Sequence, residues 1–304
     1  MGFHEFGNDL TPQFRLIKAW GGQLFVGTGL AGNTLDAQIW RSQDGTAWDR
    51  VFDSALEGKG RNVSVRAMAP FGAYLYAGMG TEFIGSAKIF RSLTGQDWDL
   101  IVGDGFGKPH LNNHVYALGV FEGQLYAGTF NLAGAQVYRS SDGESWELVA
   151  KRGFGDPRNL YIYELRVFQP PPESRARLVA ITGPNPRGGQ VWAYDGVTWS
   201  LIAPKGFGKL RNTDLWQAIQ FLSDFYVGTF KEEFRRASKL SNDKGAELWR
   251  FDHSAGEWIA ETTDGFGNPA NIGIRVIFPW QGALYVGTQN VETGCELWKG
   301  TPHE

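Results

Sequence analysis

Six positions in this sequence carry residue types that bind organic anions. Each lies twelve residues before a recurring glycine, or before Ile181 in the fourth copy once a longer hairpin is allowed for. These positions are Arg15, Arg66, Tyr116, Tyr163, Trp216 and Arg275. Arginine recognises planar carboxylate or phosphate groups, and aromatic rings stack on an organic body. The row predicts a pocket for a small anionic molecule with an apolar or aromatic portion.

The three arginines of this row also allow another interpretation. Guanidinium groups that converge in a partly desolvated channel repel one another unless an anion or a buried carboxylate compensates them. The predicted ligand is one such anion. In the alternative, which the sequence leaves equally open, the arginines pair with acids such as Glu164 or Asp214 and only fill the channel.

A second, polar row lies two residues earlier in the same strands, and therefore on the same strand face. It consists of Gln13, Ser64, His114, Tyr161, Asp214 and Gly273. We assign His114 and Tyr161 to the ligand pocket as well. A cyclisation, isomerisation or elimination driven by positioning and hydrogen bonding alone would need no cofactor. The candidate catalytic residues are Arg15, Arg66, Arg275, Tyr116, Tyr163, His114 and Asp214.

Trp216 breaks the internal symmetry of the chain. It is the only one of the 12 tryptophans that stands outside a recurring aromatic position, which favours a functional role over common packing. The segment 231–245, KEEFRRASKLSNDKG, is longer than its counterparts and belongs to the same repeat. We expect this segment to be a lid that bears Arg235, Arg236 or Lys239, although single charges of this kind are more often solvated.

The elements that must position these residues come from a phrase that occurs six times. LFVGTG, LYAGMG, LYAGTF, LVAITG, FYVGTF and LYVGTQ each read as a strand, and a second strand such as AQVYRS follows each of them. An Asp-Gly turn, a tryptophan-bearing strand, a Gly-Phe-Gly turn and one more apolar strand complete the unit. Four strands at a spacing of about 50 residues, without a helical period, predict propeller blades.

We therefore predict an all-β, six-bladed β-propeller with four-stranded antiparallel blades, in which residues 1–304 form one domain. Strands A to D run from the channel outwards, and the two rows lie at the start of strand A. The sixth copy stops at the strand of Trp298, so either residues 1–5 supply its fourth strand or the last blade has three strands.

The turn SxDGxxW, found at 42–48 and 140–146, resembles a shortened Asp-box, the hairpin motif of sialidase-like propellers. The whole chain looks like bacterial repeat proteins with GAEVWRS, DGxxW and DGFG phrases, most of which have no assigned function. This resemblance covers all six copies and implies the fold. It implies no activity, because the hairpin is structural and the arginine triad, tyrosine nucleophile and acid of a sialidase cannot be placed at family positions.

Two other functions remain alternatives. Repeated rim loops would suit a glycan-binding lectin or a protein-interaction module, although loops of unequal length disfavour multivalent recognition. A metal-dependent hydrolase would need a carboxylate cluster, and Asp214, Glu164, Asn112 and Asn113 are the candidate calcium ligands. Three nearby arginines oppose a cation, and the histidines show no metal-binding spacing, so we expect neither a metal nor a cofactor.

The composition of the chain narrows the classes of partner that it is expected to bind. A net charge of -3 and a pI near 6.0 give no basic field for nucleic acid or an anionic membrane. No apolar run reaches the roughly 20 residues of a spanning helix, and the first residues lack the pattern of a signal peptide.

The single cysteine, Cys295, excludes an internal disulfide, and it replaces a small residue that we expect to be buried. We expect a cytoplasmic protein, monomeric by default, with a small-molecule ligand.

Overall fold

In the computed structural model the chain divides into two compact units, Met1–Arg152 and Gly153–Glu304. The structure describes residues 13–29, 37–55, 62–81, 85–170, 175–231 and 245–301. Strands and short 3₁₀ turns make up the regular structure of these residues, so the all-β prediction is confirmed. Whether 1–304 is a single domain stays a prediction. None of the helices in the described ranges is long and apolar enough to cross a lipid bilayer.

Unit 1 consists of three consecutive antiparallel meanders of four strands each. Within each meander every strand pairs with the next one along the chain. The strands are β1 (Gln13–Trp20), β2 (Gln23–Gly29), β3 (Gln38–Ser42), β4 (Asp49–Asp53), β5 (Ser64–Phe71), β6 (Tyr74–Gly80), β7 (Lys88–Ser92), β8 (Asp99–Val102), β9 (Asn112–Phe121), β10 (Gln124–Asn131), β11 (Val137–Ser140) and β12 (Glu147–Ala150).

Unit 2 contains two four-stranded meanders and, among its described residues, a third meander of three strands. The strands are β13 (Tyr161–Phe168), β14 (Arg177–Gly183), β15 (Val191–Tyr194), β16 (Trp199–Leu201), β17 (Asp214–Phe221), β18 (Asp224–Phe230), β19 (Leu248–Asp252), β20 (Glu257–Thr262), β21 (Gly273–Trp280), β22 (Ala283–Gln289) and β23 (Leu297–Gly300). The 3₁₀ turns Arg152–Gly155 and Lys205–Gly208 carry two of the Gly-Phe-Gly phrases.

The Gly-Phe-Gly turns pack one meander against the next. The phenylalanine adopts a positive φ, 53° at Phe207, which turns its ring back towards the following meander. There Phe207 stacks on Trp249 with ring centroids 4.7 Å apart and an interplanar angle of 5°. The same stacking joins Phe106 to Tyr138, Phe154 to Trp192 and Phe266 to Trp298. The phrase therefore encodes packing between repeats, and each flanking glycine permits the left-handed backbone.

A buried asparagine, which we call the turn asparagine, ties each of these turns to the next meander. Asn212 Nδ2 donates to the carbonyl oxygen of Gly206 at 2.9 Å and to Glu247 Oε2 at 2.8 Å, and Trp249 Nε1 donates to the same carboxylate at 2.8 Å. The other turn asparagines make the equivalent bonds; they are Asn112, Asn159 and Asn271. The side-chain amide nitrogen of each turn asparagine is thereby hydrogen-bonded at its junction.

The Asp-Gly turns close the outer hairpins. Asp142 Oδ1 accepts hydrogen bonds from the backbone amides of Glu144 at 2.8 Å and Ser145 at 2.7 Å, and from the Ser140 hydroxyl at 2.9 Å. Asp44 makes the matching bonds in the first meander. Carboxylates that cap such turns hold the hairpin in one conformation.

Candidate functional site

The first strand of each meander, which we call the A strand, contains a β-bulge near its start. The A strands are β1, β5, β9, β13, β17 and β21, and in each of them the register against the next strand skips a residue of the predicted row. These skipped residues are Arg15, Arg66, Tyr116, Tyr163, Trp216 and Arg275, and β9 skips Asn113 as well. A bulge leaves its extra residue out of the ladder and re-aims its side chain. The predicted row thus coincides with the six bulges.

In unit 1 the arginine of one bulge lies over the aromatic ring of the neighbouring bulge. The guanidinium carbon of Arg66 is 4.7 Å from the ring centroid of Tyr116, which is buried. His114 meets the same ring edge-on at 4.8 Å. Arg15 and Arg66 are both partly buried. Unit 1 therefore brings Arg66, Tyr116 and His114 together, as the two rows predict.

A hydrogen-bond relay holds the guanidinium of Arg66 in place. His114 Nδ1 lies 2.9 Å from the carbonyl oxygen of Val115, which can only accept, so this nitrogen carries the proton. His114 Nε2 then accepts from the Ser64 hydroxyl at 2.9 Å, and Ser64 Oγ accepts from Arg66 Nε at 3.2 Å. His114 and Ser64 are fully buried. They position Arg66 and are not themselves exposed to a ligand.

The surroundings of His114 favour its neutral form. Burial first, and then the charges of Arg66 and, more weakly, Arg15, lower the pKa of His114 from 6.5 to about 3, against the opposing effect of the bonds to Val115 and Ser64. A neutral imidazole is what the relay requires, because Nε2 must accept a hydrogen bond from the Ser64 hydroxyl. The electrostatics and the hydrogen-bond geometry therefore agree.

In unit 2 the corresponding pair is Arg275 over Trp216. The guanidinium carbon lies 4.1 Å from the ring centroid, and the opposite face of the indole stacks on Phe230 at 3.7 Å with an interplanar angle of 9°. A Cβ on Gly273 would come within 2.7 Å of the Phe230 ring, so this glycine gives the stack its room. Trp216 is partly buried and Arg275 is exposed. The result is a layered Phe230, Trp216 and Arg275 stack.

The two tyrosines of β13 extend this cluster. Tyr161 and Tyr163 stack in parallel at 5.2 Å, and Tyr163 meets Trp216 edge-on at 6.5 Å. The Tyr163 hydroxyl donates to Asp214 Oδ1 at 2.8 Å, and the Thr213 hydroxyl donates to Asp214 Oδ2 at 2.8 Å. Asp214 is buried, so this carboxylate fixes the phenol and is itself held by hydroxyl donors.

Several residues singled out in the sequence lie apart from these clusters or beyond the described ranges. Glu164 forms an ion pair with Arg166 at 2.9 Å, and burial raises the pKa of its carboxyl while Arg166 opposes that shift. The lid candidates Arg235, Arg236 and Lys239 lie outside the described residues. Across the described ranges, no group of three or more histidine, cysteine, aspartate or glutamate side chains could hold a metal ion.

The small residues at the Cys295 position of other copies are buried, as expected, whereas the side chain of Cys295 itself is exposed. The alanine at this position in the fifth copy, Ala246, is covered by the next meander, where its amide donates to the carbonyl oxygen of Asn271 at 2.6 Å. Leu297 and Trp298 on β23, which follow Cys295 along the chain, are also exposed.

Phe230 and Ser64 belong to the clusters, although the sequence analysis did not assign them. Phe230 had a signal: the last residue of the LYAGTF-type phrase is aromatic in only two copies, Phe130 and Phe230, and these copies carry Tyr116 and Trp216 at their bulges. Phe130 meets Tyr116 edge-on at 6.3 Å. Ser64 stands in the polar row, but only its bond to His114, 50 residues away, reveals its role.

No protein-family model matches the chain, and no curated protein matches it. Several solved structures, in contrast, are similar to the chain. Over 96% of its length, with 12% identity and a TM-score of 0.58, the chain is similar to the SapL1 lectin in complex with alpha methyl fucoside, of which it covers 97%. It is also similar, at 12% identity and a TM-score of 0.57, to a prolyl endopeptidase, of which it spans only 42%. These similarities show the fold alone: the chain has an all-β, propeller-like fold.

Proposed function

We propose that the protein binds a small organic anion with an aromatic or apolar portion at the bulges of its A strands. One observation carries the proposal: in each unit, an arginine at one bulge lies over the aromatic ring of the neighbouring bulge, Arg66 over Tyr116 and Arg275 over Trp216. These four residues come from the row that the sequence predicts, and bulges often re-aim side chains beside functional sites.

The arrangement suits a carboxylate. A guanidinium over an aromatic ring keeps its positive charge and its planar fork of N–H donors, and this fork matches the geometry of a planar anion. In unit 1 the Ser64 and His114 relay fixes this plane, which reduces the ordering that a ligand must bring about. In unit 2 the half-buried rings of Tyr161 and Tyr163, which lie beside Trp216, offer a surface for the organic part.

The same groups support cofactor-independent catalysis as the finer part of this proposal. The Tyr163 hydroxyl, held by the buried Asp214, can give or take a proton beside the Trp216 and Arg275 stack. A cyclisation, isomerisation or elimination of a bound anion fits such a site. We also propose that the six repeats are six blades of one propeller.

Calorimetric titration with benzoate and phenylacetate tests the proposal. Arg66→Ala and Arg275→Ala are expected to weaken binding about tenfold or more, because a charge-assisted hydrogen bond contributes roughly 1.5–3 kcal/mol. Arg41→Ala in unit 1 and Arg177→Ala in unit 2 are matched controls that remove an arginine away from the bulges, and they should bind like the wild type.

Binding that neither Arg66→Ala nor Arg275→Ala weakens would overturn the proposal. Methyl α-fucoside serves as the second probe, since a solved structure with a similar fold is a lectin in complex with this sugar. Saturable binding of the sugar that survives both arginine variants, without binding of the aromatic acids, would favour the glycan-binding alternative.

A further inference from the structure

A cavity of ≈ 570 Å³ lies in unit 1, away from the bulges. It is formed by the hairpin between β5 and β6, by β9 and by the Asp-Gly turn of the third meander. Its main lining residues are Pro70, Phe71, Tyr74, Tyr76, Val120 and Asp142. Phe71 follows Arg66 by five residues on β5, so the cavity lies about 16 Å along the strand from that bulge. Its volume is in the range of small-molecule sites.

Tyr74 makes this cavity different from its counterparts. The residues at the same position in the other five repeats are Gln23, Gln124, Arg177, Asp224 and Ala283. Phe71 and Tyr76, in contrast, stand at positions that are aromatic in most repeats. Tyr74 therefore adds a wall that the common packing does not require, and it meets Tyr76 edge-on at 6.3 Å.

Arg91 holds the ring of Tyr74. The guanidinium carbon of Arg91 lies 4.4 Å from the Tyr74 centroid, and Arg91 Nη2 forms an ion pair with Glu144 Oε1 at 2.8 Å. This pairing compensates the charge of Arg91 and fixes the ring orientation. The aromatic wall is thus formed before any ligand arrives.

Asp142 gives the cavity its charge. It is exposed, and the backbone amides of Ser145 and Glu144, followed by the Ser140 hydroxyl, hold the pKa of its carboxyl well below the ordinary range. The charges of Arg91 and Glu144 compensate each other, so the negative charge of the Asp142 carboxylate remains at the cavity. Aromatic rings that present their faces also attract organic cations.

We propose that this cavity binds a small organic ammonium ion, with its charge against Asp142 and its apolar portion among Phe71, Tyr74 and Tyr76. The site is separate from the bulges and has the opposite charge preference. A neutral molecule of the same shape gains the apolar contacts but not the attraction to Asp142, and a carboxylate is repelled.

Calorimetric titration with 2-phenylethylammonium tests this inference, with 2-phenylethanol as the neutral probe and 3-phenylpropionate as the anionic probe. The ammonium ion is expected to bind most tightly. Tyr74→Gln, which installs the residue of the first and third repeats, and Asp142→Asn are each expected to weaken its binding about tenfold, within the energy of cation–π and charge contacts.

Two controls separate the site from other effects. Asp44→Asn changes the same turn in the first meander and should leave binding unchanged, and Arg66→Ala should also leave it unchanged because the bulge is remote. The inference is overturned if the wild type does not bind the ammonium ion at millimolar concentration, if the alcohol binds as tightly, or if Tyr74→Gln and Asp142→Asn bind like the wild type.

Discussion

At the scale of single residues, the most constrained group in unit 1 is the imidazole of His114. It is buried between two hydrogen bonds of defined direction, and it stays neutral because burial and the nearby arginines oppose a charge. Protonation would convert Nε2 from an acceptor into a donor that faces the Ser64 hydroxyl. The orientation of Arg66 over Tyr116 therefore depends on a residue that no ligand touches.

Because His114 is neutral in the folded chain, we expect the free energy of unfolding to decrease as the pH is lowered. In the unfolded chain this histidine binds a proton near pH 6.5, whereas in the folded chain it binds a proton only near pH 3. Stability from this group is thus fully present above pH 6.5 and declines as the pH falls towards 3, by about 1.4 kcal/mol per pH unit. Urea unfolding at pH 7 and pH 5 should show a loss of about 2 kcal/mol from this source.

His114→Gln isolates this contribution, because glutamine can accept from Ser64 but does not titrate. The variant is expected to lose less stability than the wild type between pH 7 and pH 5. His253→Gln, in unit 2, is the matched control and should follow the wild type. An identical pH dependence in His114→Gln and the wild type would show that this histidine is not the group that titrates.

At the scale of elements, the Gly-Phe-Gly turns and the turn asparagines join one meander to the next. Phe207 is buried, stacks on Trp249 and meets Trp258 edge-on at 5.1 Å. Asn212 secures the same turn through Glu247. A meander has two apolar faces and cannot bury both alone, so these turns supply much of the packing between repeats.

Phe207→Ala is expected to destabilise unit 2 by about 3 kcal/mol, because it removes a buried ring and leaves a cavity against Trp249. Urea unfolding followed by tryptophan fluorescence measures the change. Phe278→Ala, in the same unit, removes a ring that is 57% exposed and should change stability by about 0.5 kcal/mol or less. Equal effects of the two substitutions would show that the turn phenylalanine does not secure the junction.

The strands themselves could be predicted from the sequence, whereas their junctions could not. The strand phrases and Asp-Gly turns are local patterns, and the strands lie close to where these patterns place them; Trp199 and Trp258 fall in their predicted strands, while Trp48 immediately precedes β4. The role of a turn asparagine depends on a partner about 25 to 35 residues away, such as Glu247 for Asn212. Spacing alone does not reveal that partner.

At the scale of the whole molecule, the chain has a net charge of -3, yet in each of its two units an arginine lies over an aromatic ring. Counting back from the strand glycines predicted which residues form the row, because the bulge recurs at one register in every A strand. The pairing of Arg66 with Tyr116 could not be predicted, since it depends on side-chain directions that a bulge changes. The cavity at Tyr74 could not be predicted either, because it brings together residues of two meanders, such as Tyr74 and Asp142.

A crystal structure of the protein soaked with 4-bromobenzoate, recorded at the bromine absorption edge, tests the central claim most directly. We expect an anomalous bromine peak beside the Arg275 and Trp216 stack or beside Arg66 and Tyr116, with the carboxylate within hydrogen-bond distance of the guanidinium. Crystals in which the probe occupies other positions and leaves both arginine and aromatic pairs without a peak would contradict it.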